Sequence, residues 1–392
     1  MANPVSMSIF ILQIPSLLLL YILLLYLFNV ILRRFRLVQK FSGHKPPTYP
    51  IIGCLLSFYK NQGRLLDWYT ELLAESATNT IVVHRLGARR TVVTANPGNV
   101  EYMLKTNFNN FPKGQPFTEI LGTFLAMVFQ RGRGALAHTA QVCQAFDKAS
   151  EICAKRGAAP LFIVWKIKKW LGIGSERQLK SAVEEIHRYV SEIIISKKKM
   201  IEKGENRITT SAAMTWLFWL LSCHPEIEKE VVKETKVLME RRLDYDSLKE
   251  FNLLKACLCE SMRLYPPIAW DSKHAIVNDL LPDNTPVRAG DRVTYFPYGM
   301  GRMEALWGED CFKFKPDLQE VCPYKFPIFQ AGPRVCLGKE MAFVQMKYVM
   351  ASMLDRFKIK PVSSASPVFV PLLTAHMAGG LEVLSKRGLR RA

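Results

Sequence analysis

A mainly α-helical fold with small β-sheets, carried behind one N-terminal membrane-spanning helix, is what this sequence predicts. Three observations lead there. An apolar run near the N-terminus is long enough to cross a bilayer, several later segments repeat apolar residues at helical spacing, and β-patterned stretches are few and short. The chain has 392 residues, 49% of them hydrophobic. That suits two average domains, or one large domain with an appendage.

The anchor comes first. From Met7 to Leu32 the sequence is almost continuously apolar and carries no formal charge, enough to span the hydrocarbon core as a helix. Arg33, Arg34, Arg36 and Lys40 follow at once, which places the rest of the protein on the cytoplasmic side. A cleaved signal peptide is the alternative. It fits less well, because the apolar core is long, the positive charge follows it, and no small-residue cleavage site is evident. Pro46, Pro47 and Pro50 then make a stiff, non-helical spacer.

The formal net charge is +19. No helix-turn-helix, zinc-finger or RNA-binding signature accompanies it, so nucleic acid is a poorly supported partner. An anionic membrane surface or an acidic protein suits the charge better, given the anchor. The nine cysteines are odd in number and contain no C-x-x-C pair. A disulfide framework and a zinc site are both disfavoured, and reduced thiols facing the cytosol fit the topology.

Along the globular part, Thr80–Leu86 and Thr91–Thr94 read as two strands joined by a turn at Gly87–Arg90, a hairpin. Asn96-Pro97 opens a helix over about 98–106. Between Phe117 and Gln144 no element is assigned. Helical patterns return at about 145–155 and 176–203, the second ending in Lys197-Lys198-Lys199, a solvated helix end. Thr210–Ser222 is apolar and helical, and His224-Pro225 stops it. Glu226–Arg242 forms a charged amphipathic helix, and another spans about 246–264 before Pro266-Pro267. The last helix covers about 337–357.

The sharpest motif is Phe329-Gln330-Ala331-Gly332-Pro333-Arg334-Val335-Cys336-Leu337-Gly338, which fits F-x-x-G-x-R-x-C-x-G. Five fixed identities arise by chance in such a chain with a probability on the order of 10⁻⁴. The pattern suits a haem-thiolate loop. Gly332 and Gly338 allow close backbone approach to a flat macrocycle. Arg334 is a fixed cation for a propionate. Cys336 precedes a helix start, whose unpaired N–H groups favour thiolate. On these residues the chain resembles the cytochrome P-450 family of haem-thiolate monooxygenases.

The resemblance implies haem b as cofactor, with Cys336 as the axial thiolate on its iron. Glu260-Ser261-Met262-Arg263 puts an acid and a base three apart on one helix face. Alone it would pass for a surface ion pair. Followed by Leu264-Tyr265-Pro266-Pro267, it resembles the family's structural pair, which braces the loop region. Thr209-Thr210-Ser211-Ala212 resembles the second half of the oxygen-activation helix, with Thr209 as the hydroxyl that assists proton delivery. On this reading residues 1–40 are the anchor and its basic stop, 41–52 a Pro-rich linker, and 53–392 the monooxygenase domain.

The family pattern breaks at three places, near 125–144, 204–208 and 317–322, so parts of the fold are expected to be missing. Ile208 stands where the family has an acid, and it cannot relay a proton. The Trp-x-x-x-Arg segment expected near Leu125–Gln144 is absent. After Phe314-Lys315-Pro316 comes Asp317-Leu318 rather than Glu-Arg.

Trp216-Leu217-Phe218-Trp219, Trp270-Asp271-Ser272-Lys273, Tyr298–Glu304 and Thr374–Gly380 resemble the plant branch that hydroxylates the terminal methyl of fatty acids and jasmonate conjugates. That implies a fatty-acid-like substrate, with Ile268 and Leu372–Met377 lining its pocket. No dinucleotide fingerprint is present, so electrons are expected from a separate NADPH–cytochrome reductase; Lys339 and Lys347 suit docking its acidic surface, and equally a solvated helix face. The resemblance also implies a single-pass protein of the endoplasmic reticulum membrane with a cytosolic catalytic domain. The rival reading is a truncated, membrane-anchored remnant without catalysis.

Overall fold

A computed structural model describes residues 52–114, 162–184, 207–240, 244–316 and 321–387, save Gly87 and Ser364, together with a few isolated positions. Save for Tyr26, the expected membrane span at 7–32 lies outside these residues, as do the break near 125–144 and the Lys197–Lys199 run. No described helix is long and apolar enough to cross a membrane.

The β-hairpin forms from its β-branched residues, as β1 (Thr80–Val83) and β2 (Thr91–Thr94), antiparallel with Thr80 opposite Thr94. The strands are shorter than the sequence suggests. They join a four-stranded sheet in the order β1-β2-β6-β3, where β3 is Asp271–His274 and β6 is Arg292–Tyr295. β2 and β6 run parallel, and β3 and β6 antiparallel. Two helices not foreseen from the sequence, α1 (Leu55–Lys60) and α2 (Leu65–Glu75), lie beside this sheet. Leu66, Trp68, Tyr69, Leu72 and Leu73 of α2 are buried, and with Val92, Val293 and Phe296 they build the first core.

After β2, the Asn96 side chain accepts a hydrogen bond from the Gly98 N–H at 2.9 Å and caps α3 (Pro97–Glu101). The helix widens into a π turn over Tyr102–Thr106. A further unforeseen helix is α4 (Phe162–Leu171).

The second core holds α5 (Arg207–Cys223), α6 (Pro225–Met239), α7 (Asn252–Leu264) and α10 (Lys339–Arg356). Leu217, Leu221, Val231, Leu254, Leu258, Met346 and Met350 fill it. His224-Pro225 separates α5 from α6 as expected. The Glu234 carboxylate of α6 accepts from the N–H groups of Asn252, Leu253 and Leu254, each at 2.9 Å. A neighbouring helix thereby satisfies the exposed donors at the start of α7. Short helices α8 (Pro297–Met300) and α9 (Glu304–Trp307) belong with the first core, through Tyr298, Met300 and Leu306. A hairpin of β7 (Phe357–Pro361) and β10 (Val383–Arg387) follows α10. The small pairs β4 (Asp279–Leu280) with β5 (Pro286–Val287) and β8 (Phe369–Val370) with β9 (His376–Met377) complete the strands.

Candidate active site

The Cys loop lies between the two cores. Its backbone closes on itself, since the Cys336 N–H donates to the Phe329 carbonyl at 2.8 Å. The Cys336 carbonyl accepts from Lys339 N–H at 3.2 Å, and Ala342 N–H donates to the Gly338 carbonyl at 2.8 Å, which starts α10. Cys336 thus stands at the mouth of an 18-residue helix with its thiol exposed. Phe329 anchors the loop from inside, its ring 5.2 Å from that of Phe343.

Gln330 and Gly332 take left-handed φ of 58° and 60°. The close approach at Gly332 is to protein: a Cβ there would sit 2.2 Å from the Leu104 carbonyl oxygen. That glycine therefore seats the loop on the π turn after α3. Gly338 meets nothing closer than the Cys336 sulfur at 3.8 Å.

Two features of the loop fit a haem. The Nε of Arg334 is buried and has no hydrogen-bond partner among the described residues. The guanidinium carbon lies 4.8 Å over the Phe108 ring. A buried guanidinium nitrogen left unpaired is costly, and an anionic group from a ligand would satisfy it. Beside it Leu337 is fully exposed, and Val335 and Met341 are exposed as well. A flat apolar ligand over Cys336 would cover this surface.

The Glu260–Arg263 pair is buried and bidentate. Arg263 Nη2 lies 2.6 Å from Glu260 Oε1, and Nε lies 2.7 Å from Oε2. Arg263 also donates to the carbonyls of Gly301, Cys311 (2.6 Å) and Lys313 (3.0 Å), and Glu260 accepts from the Lys315 N–H at 3.0 Å. The pair holds the segment 301–315 from both sides.

Thr209 lies exposed in the first turn of α5, and Thr210 beside it is buried. Farther along α5 the Trp216 ring stacks on Tyr265 at 3.8 Å, tying this helix to the chain just past α7. Ile268 is half-buried, and the neighbouring Pro267 carbonyl accepts from Ala375 N–H at 2.7 Å, which joins the two segments expected at a substrate pocket.

Lys347 departs from expectation. It is buried, with Nζ donating to the Leu248 carbonyl at 2.8 Å, so it presents no charge to a partner. Lys339 is exposed. All eight described cysteines are free, and no metal-ligating cluster exists among the described residues.

The sequence reading passed over one polar cluster. Strand alternation puts Asp271 and Lys273 on one face of β3, where they pair at 2.8 Å with the lysine side chain fully buried. Tyr295 OH donates to the same Asp271 oxygen at 2.8 Å, and Gln330 Oε1 of the Cys loop lies 3.5 Å from Lys273 Nζ. Burial pushes the Asp271 carboxyl up, but the Lys273 and Lys113 charges and these hydrogen bonds outweigh it and hold it below the usual range. Burial pulls the Lys273 ammonium down against the pull of Asp271.

Comparison with known proteins agrees with this arrangement. The cytochrome P-450 family profile matches residues 207–375, from the first residue of α5 past the Cys loop. The chain is 43% identical to cytochrome P-450 94B3 of Arabidopsis thaliana, covering 89% of this chain and 93% of that protein. The chain belongs to the cytochrome P-450 family. Cytochrome P-450 94B1 of Arabidopsis thaliana is 42% identical (88% and 92% covered), and cytochrome P-450 94A1 of Vicia sativa is 32% identical (86% and 90% covered). Members of the family are monooxygenases that use haem, with an axial cysteine thiolate on the iron. The mainly helical architecture with small sheets is the cytochrome P-450 fold.

Proposed function

We propose that Cys336 supplies the axial thiolate and that Arg334 pairs with a haem propionate, in an enzyme that hydroxylates the terminal methyl of a fatty-acid-like chain. The observation that carries this is the unpartnered, buried Nε of Arg334 beside an exposed thiol ringed by exposed apolar side chains. Haem, when bound there, supplies oxygen activation and C–H hydroxylation. The chain's own residues do the rest. The Phe329 carbonyl fixes the Cys336 backbone, and the Phe329 ring packs against Phe343 of α10. Thr209 at the head of α5 offers a hydroxyl for proton delivery. Ile208, just before it, carries no carboxylate. Ile268 and the 372–377 segment hold an apolar chain. Electrons come from an NADPH–cytochrome reductase, and residues 7–32 anchor the protein as a single pass in the endoplasmic reticulum membrane.

Haem titration of the purified protein tests the assignment. Cys336→Ala should remove the thiolate signature, and Arg334→Leu should weaken haem binding about tenfold or more, as loss of a charge-assisted pair does. An unchanged thiolate spectrum in Cys336→Ala would sink it.

A second reading, a catalytically inactive remnant, has its own support. The alignment with the 94B3 protein runs over 471 positions but draws on 89% of this chain's 392 residues, so about 120 positions have no counterpart here. The profile match also begins at Arg207, where the oxygen-activation helix loses its family pattern. A thiolate-type spectrum without any product from acyl substrates supplied with reductase would favour it.

A further inference from the structure

We propose that Arg85 and Arg292 form a binding site for a phosphate-class oxyanion, beside α1 and α2 and apart from the Cys loop. Strand register sets Val83, Thr91, Arg292 and His274 side by side across β1, β2, β6 and β3. Arg85 follows Val83 by two residues and so shares their face of the sheet. Its guanidinium carbon lies 4.4 Å over the Phe58 ring of α1, and its Nη1 is buried without a hydrogen-bond partner among the described residues. Arg292 Nε donates to Ser272 Oγ at 3.0 Å. Burial lowers the pKa of the Arg292 guanidinium and the Arg85 charge lowers it further, against the pull of Tyr69 and Asp271. Burial raises the Tyr69 hydroxyl, and both arginine charges draw it back. The two cations and the hydroxyl therefore share one space.

The nearby acids are occupied elsewhere. Asp291 pairs with Arg90 and accepts from the Arg288 N–H at 2.7 Å. Asp271 lies on the opposite face of β3, paired with Lys273 at 2.8 Å. The chain that enters beside Arg85 brings no acid either. It joins the sheet through Gly53, which bridges to Arg85, and through the Cys54 N–H, which donates to the His84 carbonyl at 2.8 Å. From Met1 to Leu66 the sequence holds no Asp or Glu, while Arg33, Arg34, Arg36, Lys40 and Lys45 precede the junction.

Two guanidiniums close together, with one donor unmet in a buried place, are costly until an anion neutralises them. Their forked donors suit an oxyanion approached from more than one side. Both arginines are half-buried, so a small anion reaches them from solvent. Free phosphate and the phosphate of a lipid headgroup share this chemistry. The inference does not depend on haem.

The full-length chain in an uncharged detergent provides the test. Its thermal unfolding midpoint is followed as inorganic phosphate replaces chloride at constant ionic strength, and separately as dihexanoyl phosphatidic acid is added below its micelle-forming concentration. The midpoint should climb with phosphate, with a Kd on the order of 1 mM, and titration calorimetry of the unmutated chain should show the same affinity. Arg85→Met removes the unmet donor, so in chloride it should unfold at the same temperature or higher, yet need about tenfold more phosphate for the same rise. Arg85→Lys, which keeps the charge without the fork, should respond in between, and Arg356→Met, at an exposed arginine, should respond as the unmutated chain does. A rise with both probes marks a site for free phosphate, and a rise with the lipid alone marks a headgroup site; either upholds the oxyanion site. No rise with either probe and no calorimetric binding, or an undiminished rise in Arg85→Met, overturns it.

Discussion

Replacing Arg263 by methionine isolates what the buried pair contributes. Arg263 and Glu260 are only 4% and 11% exposed, and three of the guanidinium's remaining bonds go to the carbonyls of Gly301, Cys311 and Lys313. Methionine roughly preserves the stem but leaves a buried carboxylate with one backbone N–H and strands those carbonyls. Breaking a buried pair by removing one partner costs about 3–5 kcal/mol, and the carbonyls push the figure toward the upper end. Out of a total stability on the order of 10 kcal/mol, that is close to half. Asp246 and Lys249 provide a control of equal spacing, paired at 2.7 Å but 83% and 60% exposed. Lys249→Met should leave the unfolding midpoint essentially unchanged. The assay is urea unfolding at neutral pH followed by tryptophan emission, with the segment 301–315 monitored by hydrogen exchange. Arg263→Met should lower the midpoint strongly and expose 301–315 first. If it behaves like the exposed control, the bracing role assigned to this pair is wrong.

Other substitutions probe separate joints of the fold. Gly332→Ala combines a left-handed φ with a Cβ placed 2.2 Å from the Leu104 oxygen, so urea midpoints should show a loss of about 2–4 kcal/mol. Gly63→Ala, with nothing within 4 Å, should be neutral within about 0.5 kcal/mol. The depressed Asp271 carboxyl contributes stability that is fully present above the ordinary carboxylate pKa of about 4 and is lost as pH falls through its lower folded value. Asp271→Asn should therefore destabilise at neutral pH and flatten the acid limb of the stability profile. A parallel downward shift at every pH would contradict that reasoning. Glu234→Ala frees the three N–H groups at the start of α7 and should cost about 1–2 kcal/mol, with fraying seen by hydrogen exchange at 252–254.

What the sequence disclosed depended on how local the cause was. The β1–β2 hairpin, the Asn96 cap, the His224-Pro225 break and the start of α10 are each fixed by neighbours in the chain, and each stands where the residues place it. The Cys loop and the E-x-x-R pair were legible because their spacing is fixed. The acceptors of Arg263 were not, since Gly301, Cys311 and Lys313 lie 38 to 50 residues away. Lys347 reads as a surface cation on a helix, and only the distant Leu248 carbonyl explains its burial. The tight neighbour of Gly332 was hidden for the same reason: Leu104 comes from another part of the chain.

The central claim is that the sulfur of Cys336 holds haem iron. The most direct measurement is the difference spectrum of the reduced, carbon-monoxide-treated protein, purified after expression with ample haem precursor. The strongly red-shifted band of thiolate-ligated haem is the predicted result. A colourless protein, or a band typical of nitrogen-ligated haem, would contradict the account.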